Sequence, residues 1–191
     1  ENAPEIWNYV TIPLTLADIE DPERWQEFFD ACRKLRIIPL VRLTTRFDPE
    51  TNSWSVPTKA DIVRLISFLS NLQWPQEKKH IIVFNEVNHA KEWGGSIDPE
   101  QYARLLVFTG QWAHTEMKNY VVLPAALDLA APNGKQTTEA FTYLEKMLAF
   151  DPQVFDHIDV WNSHSYPNPG FSSSPTRTGK NSLRGYTHEL A

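Results

Sequence analysis

Apolar residues in this chain follow two rhythms. In residues 5–15, 37–43, 80–87, 120–127 and 155–161 they run almost without interruption and are mostly β-branched or aromatic. Between these runs they recur at three- and four-residue intervals. The sets are Trp25, Phe28, Phe29, Cys32 and Leu35; then Ile62, Val63, Leu65, Ile66, Leu69 and Leu72; then Tyr102, Leu105, Leu106 and Trp112; then Phe141, Leu144 and Leu148. Continuous runs of this length predict strands buried on both faces, and the spaced sets predict helices with one apolar side.

Local signals agree with this division. Asp21-Pro22 and Asp98-Pro99 each place a capping carboxylate before a proline in the first helical turn. Thr58 followed by Asp61 has the form of a capping box. A fourth helix is expected over about 138–150. A Ser/Pro/Gly-rich loop over 168–179 then leads to a short last helix over about 181–190.

Strands that alternate with helices predict a parallel sheet with helices packed outside it. A doubly wound open sheet and a (β/α)8 TIM-type barrel both satisfy that alternation. No strand is followed by a glycine-rich phosphate turn; Gly94-Gly95 lies well past its strand. Polar and aromatic residues instead collect after every strand, on the side where a barrel builds its site. The expectation is therefore one domain over 1–191, of α/β barrel type and incomplete, with about five β/α units where a closed barrel has eight. Two open sheet edges are then expected, so the chain is read as part of a longer polypeptide or as pairing with a second piece. Its first residue, Glu1, reads as a processed N-terminus or a fragment boundary.

Composition narrows the function classes. The net charge is −6 over 24 acidic and 18 basic residues, scattered without a single-sign block, so no nucleic-acid partner is expected. No apolar run approaches the length of a membrane span, and no membrane partner is expected. The one cysteine, Cys32, falls on the apolar side of a helix and reads as a buried thiol. Seven Trp, ten Phe and six Tyr suit a sugar-binding cleft, but they suit a large core as well.

The candidate chemistry centres on Asn85-Glu86, set at the C-terminal end of the third apolar run. Ligands and catalysis gather at that end of strands in α/β folds. The competing reading is a carboxylate paired with a Lys or Arg. Trp54, Trp93, Trp161, Tyr166 and Phe171 are candidates for stacking on sugar faces, Trp93 and Phe171 foremost because they sit in loops after strands; packing in the core is the alternative for each. Asp128 could line the cleft or cap a turn. Glu86-x-x-His89 with His164 or Asp128 resembles a metal set, but these residues lie on a strand end and loop rather than on one helix face. No metal and no cofactor are expected.

With the strands so placed, the chain resembles the clan A glycoside hydrolases, the retaining (β/α)8 glycosidases. In that clan the fourth strand ends in Asn-Glu, usually followed by Pro; here Val87 follows Asn85-Glu86. The sixth strand ends in His-x-Tyr in many members, matched by His164-Ser-Tyr166. By this register the five strands are the second to sixth of eight, and the layout covers nearly the whole chain. The resemblance implies hydrolysis of O-glycosidic bonds in a polysaccharide or oligosaccharide, with Glu86 as general acid/base. It also implies that Asn85 bonds the sugar 2-hydroxyl and that Arg42, with Arg46 in reserve, is the arginine near the nucleophile. The stretches 88–95 and 98–102 are similar to bacterial members acting on plant or microbial glycans, for which a secreted or periplasmic setting is favoured. The clan's nucleophile is a Glu at the end of the seventh strand, so it is expected beyond residue 191. Glu189 is read as structural. The alternative function is a catalytically silent barrel that serves as a carbohydrate-binding or interaction module.

Overall fold

The computed structural model describes residues 6–191, so the start of the first predicted strand, at Glu5, lies outside the described residues. Strand β1 (Asn8–Leu14) leads to helix α1 (Pro22–Leu35) and strand β2 (Ile37–Leu43). A small antiparallel hairpin, β3 (Phe47–Asp48) and β4 (Ser53–Trp54), precedes helix α2 (Lys59–Ser70). Strand β5 (Lys79–Val83), helix α3 (Pro99–Glu116), strand β6 (Tyr120–Pro124) and helix α4 (Ala140–Phe150) follow. A four-residue helix α5 (Tyr186–Glu189) lies near the end. The four longer strands form one parallel sheet in the order β1-β2-β5-β6.

Helix starts fall where their chemistry puts them. The Asp21 and Asp98 carboxylates accept from Arg24 N and Gln101 N, ahead of Pro22 and Pro99. Thr58 and Asp61 satisfy each other's backbone N–H in a complete capping box. The core lies between the helices and one face of the sheet. Leu14, Val41, Leu43, Ile81, Val83 and Val122 point into it and meet Trp25, Phe29, Ile62, Leu65, Leu69 and Leu106. The opposite face carries Thr11, Pro13, Arg42 and His80, which are exposed or half-buried. Ile38, Ile82 and Leu123 are buried there. Helices therefore cover one side of the sheet and leave its inner side only partly covered.

Three expectations change. The fifth strand, expected over 155–161, is a single 3-10 turn, Val154–His157, followed by extended chain without a ladder. That segment still runs beside β6: Asp159 N and Val160 N reach Val122 O, and an isolated parallel bridge joins Asp128 to His164. The Asp159 carboxylate accepts from Val122 N at 2.7 Å, taking the donor that a ladder carbonyl would use. Helix α4 also turns a different side inward. Ala140, Tyr143 and Met147 are buried, Phe141 and Leu144 flank them, and Leu148 is exposed. Tyr143 takes the inner place because its ring packs beside Tyr102, with centroids 6.4 Å apart. The last helix is shorter than expected, and 180–185 is turn.

One side chain ties the helical layer to the strand ends. Tyr102 on α3 is 1% exposed. Its hydroxyl donates to Val83 O at 3.1 Å and accepts from Ala125 N at 2.7 Å, bridging the ends of β5 and β6. Removing that oxygen leaves a buried carbonyl and a buried N–H without partners. Tyr102→Phe is therefore expected to lower stability by about 1–3 kcal/mol, read as a lower urea midpoint at unchanged slope.

Candidate functional site

The site forms where the chain leaves β5. Phe84 N bonds back to Ile82 O at 3.1 Å, and Phe84 and Glu86 both take positive φ, 71° and 35°. Non-glycine residues enter that region at a cost of about 1–3 kcal/mol each, and such strain clusters at functional sites. Three contacts hold the turn in place. Glu86 N donates to Ala126 O, His89 N donates to Glu86 O, and Asn88 is fully buried. The Asn88 amide donates to Asp128 O and Thr138 O and accepts from Asp128 N, so it ties the loops after β5 and β6 to the start of α4.

On this support several predicted residues converge. His164 Nδ1 lies 2.7 Å from Glu86 Oε1, with both side chains about a quarter exposed. One exchangeable proton sits between the two atoms. Arg42, from the inner face of β2, donates to Asn85 Oδ1 at 2.8 Å. Its Nε is buried with no hydrogen-bond partner among the described residues. The Tyr166 ring packs on His164 at 5.1 Å and on Phe171 at 5.1 Å. Burial raises the Tyr166 phenol above its ordinary range, and the charges of Glu86 and Asp128 add to that against Arg42. Phe171 stands 68% exposed in the loop beyond, with a face free for stacking. A cleft of about 220 Å³ opens between these elements, lined by Arg42, Phe84, Asn85, Asn162 and His164 among others.

Trp93 is not among them. It is fully buried, packed edge-on between Phe84 and Tyr102, and its indole N–H donates to Gln101 at 2.9 Å. A ring with no exposed face cannot stack on a sugar, and this corrects the expectation drawn from its place in a loop. Trp54 packs against Phe47 in the hairpin and Trp161 against Phe155. Arg46 is exposed in that hairpin, which leaves Arg42 as the arginine facing the cleft.

Two further groups belong to the site. Asp128 pairs with His89, Oδ2 to Nε2 at 3.0 Å, beside the Glu86 turn. Glu92 is half-buried, in the neighbourhood of Asn85, Arg42 and Glu86. Burial raises its pKa and the Glu86 charge adds to this, while Asn85, Arg42 and His89 oppose it. Nothing in the spacing of residues 88–95 distinguishes Glu92. It falls in a non-periodic stretch and becomes visible only when the 3-10 turn Ala90–Glu92 folds it back toward the strand end. Glu189, at the end of α5, lies with both carboxyl oxygens buried. Ser163 and Trp161 stand over it without completing well-aligned bonds. Burial raises its pKa, and Ser163, Trp161 and His164 partly offset this.

The chain matches no protein-family profile and no curated protein. Among solved structures it is similar to the GH39 enzyme from Xanthomonas axonopodis pv. citri, with a TM-score of 0.50 and 19% identity over 77% of this chain and 30% of that one. It is also similar to a monomeric beta-xylosidase from Caulobacter crescentus CB15, with a TM-score of 0.55 and 18% identity over 77% of this chain and 31% of that one. The fold is thus α/β of the TIM-barrel type found in glycoside hydrolases, present here as an incomplete barrel. The chain spans less than a third of the length of these two structures.

The raised pKa of Glu189 has a consequence for stability. Its ordinary value is 4.5, and the folded chain holds the proton more tightly than the unfolded chain does. Above pH 4.5 the fold must ionise a buried group, so its contribution to stability declines as pH rises through the folded pKa. Glu189→Gln, which never ionises, is expected to gain in melting temperature relative to the parent as pH is raised from 4.5 to 7. Calorimetry across that range checks it, and a constant difference would contradict the burial argument.

Proposed function

We propose that this chain carries the acid/base part of a retaining glycosidase, acting on a polysaccharide or oligosaccharide glycan. One observation supports the reading above the others: Glu86, just past the end of β5, lies at hydrogen-bond distance (2.7 Å) from His164, while Arg42 and Asn85 join at the same rim. Retaining glycoside hydrolysis uses two carboxyl groups about 5–5.5 Å apart, one as nucleophile and one as acid/base. In this reading Glu86 protonates the departing glycosidic oxygen, then takes a proton from the water that releases the sugar. His164 holds Glu86 in position and exchanges the proton with it. Asn85 and Phe171 contact the sugar, Asn85 through its amide and Phe171 through its exposed ring.

The second carboxylate is proposed to come from further strands, supplied by the same polypeptide or by a second chain. The partly covered inner face of the sheet supports this, because closed barrels fill that face with side chains. Arg42 supports it too, since its buried, unpartnered Nε is a charge-assisted donor suited to a carboxylate.

Glu86→Gln keeps shape and hydrogen bonding but cannot cycle a proton. In the full polypeptide it is expected to lower hydrolysis by roughly 10²–10⁴-fold while leaving glycan binding within a few-fold of the parent. Initial rates and calorimetric titration with an unhydrolysed oligosaccharide give the two readouts. Unchanged hydrolysis of aryl glycosides would remove Glu86 from its role. Binding without hydrolysis in the parent itself would assign the chain to carbohydrate recognition instead.

A further inference from the structure

The chemistry proposed above leaves the His89–Asp128 pair without a task. The Asp128 carboxylate is fixed at both oxygens: Oδ1 accepts from Ala130 N at 2.9 Å, and Oδ2 lies 3.0 Å from His89 Nε2. An ionised carboxylate only accepts, so the His89 imidazole carries a proton on Nε2. The Asp128 backbone is held as firmly, by the Asn88 amide at its N–H and carbonyl and by the parallel bridge to His164. On the other side, His89 N donates to Glu86 O at 2.8 Å, its carbonyl accepts from Glu92 N, and an antiparallel bridge joins it to Thr137. These contacts close a circuit. Glu86 meets His164 by side chains, His164 meets Asp128 by backbone, Asp128 meets His89 by side chains, and His89 returns to Glu86 by backbone. Glu86 stands in that circuit at φ 35°, a conformation that persists only where its surroundings over-determine it.

We propose that His89 and Asp128 are positioning residues: their side-chain bond closes the circuit that holds the Glu86 carboxylate against His164. This rests on the glycosidase reading given above for its effect on catalysis, but not for the circuit itself. The bond, rather than the Asp128 charge, sets the position, so an uncharged partner that keeps the bond serves as well. Asparagine is such a partner. Ala130 N would keep hold of its amide oxygen, which turns the amide NH2 toward His89. The imidazole then accepts at Nε2 and carries its proton on Nδ1.

Kinetics of the full polypeptide, taken below the melting temperature of each variant, test this. Asp128→Ala and His89→Ala are each expected to lower kcat by roughly ten- to a hundredfold, because the acid/base is displaced. KM should stay close to that of the parent, because the sugar contacts remain. The double variant should lose no more than either single one, since the two residues act as one unit. Asp128→Asn, and His89→Gln, whose amide reaches the place of Nε2, should each recover most of the loss. Additive losses in the double variant, or an asparagine as poor as alanine, would overturn the proposal. Should Asp128→Ala fail to fold, His89→Ala reads the same bond alone. If the parent hydrolyses no glycan, the functional reading fails, and nitrogen NMR of the neutral His89 imidazole judges the circuit. The proton should sit on Nε2 in the parent and on Nδ1 in Asp128→Asn. A proton on the same nitrogen in both would overturn the proposal regardless of activity.

Discussion

The arrangement depends on the buried amide of Asn88. It has no solvent to turn to, and two of its three hydrogen bonds reach the backbone of Asp128 in the loop after β6, the third Thr138 O just before α4. A buried amide left unpaired costs about 1–3 kcal/mol, so these elements are held in one relation or the amide is orphaned. Glu86, His89 and Asp128 inherit their positions from that relation. The strained turn at Phe84 and Glu86 persists because the chain on both sides of it is pinned: Tyr102 grips the strand end before it and Asn88 the loop after it. Site geometry here is a property of buried polar bonds more than of apolar packing.

The electrostatics follow from the same crowding. Glu86, Glu92 and Asp128 lie in the neighbourhood of Arg42, with His164 at Glu86 and His89 at Asp128 as hydrogen-bonding partners. Burial and the Glu86 charge act against the ionised form of Glu92, and the Arg42 charge supports it.

Much of this was legible in the chain before its fold. The four parallel strands announced themselves as near-continuous apolar runs, although in this chain β1 is mostly exposed and the inner side of the sheet is only partly covered. Caps at Asp21, Thr58 and Asp98 were legible because each uses one side chain on a nearby backbone N–H. The segment 155–161 has the same apolar composition, but Asp159 caps the β6 edge with its carboxylate, and composition does not reveal such a competition. Trp93 misled for a related reason: loop position says nothing about which way a ring turns, and this one turns into the core. Glu92 was hidden in a stretch without periodicity; His89 and Asp128 stood out as candidates, but their pairing with each other is a tertiary contact that spacing does not reveal. Glu86 and His164, far apart in sequence, were linked through the resemblance to the Asn-Glu and His-x-Tyr strand ends of the clan A glycosidases.

The positive φ at Glu86 sets two demands on one residue against each other. A glycine would sit in that backbone conformation without strain, and the fold would gain from it. Glutamate stays only where the carboxylate is worth the discomfort. Glycine here, as at Phe84 with its larger positive φ, would give a sturdier molecule, and at position 86 it would trade away the carboxylate that meets His164.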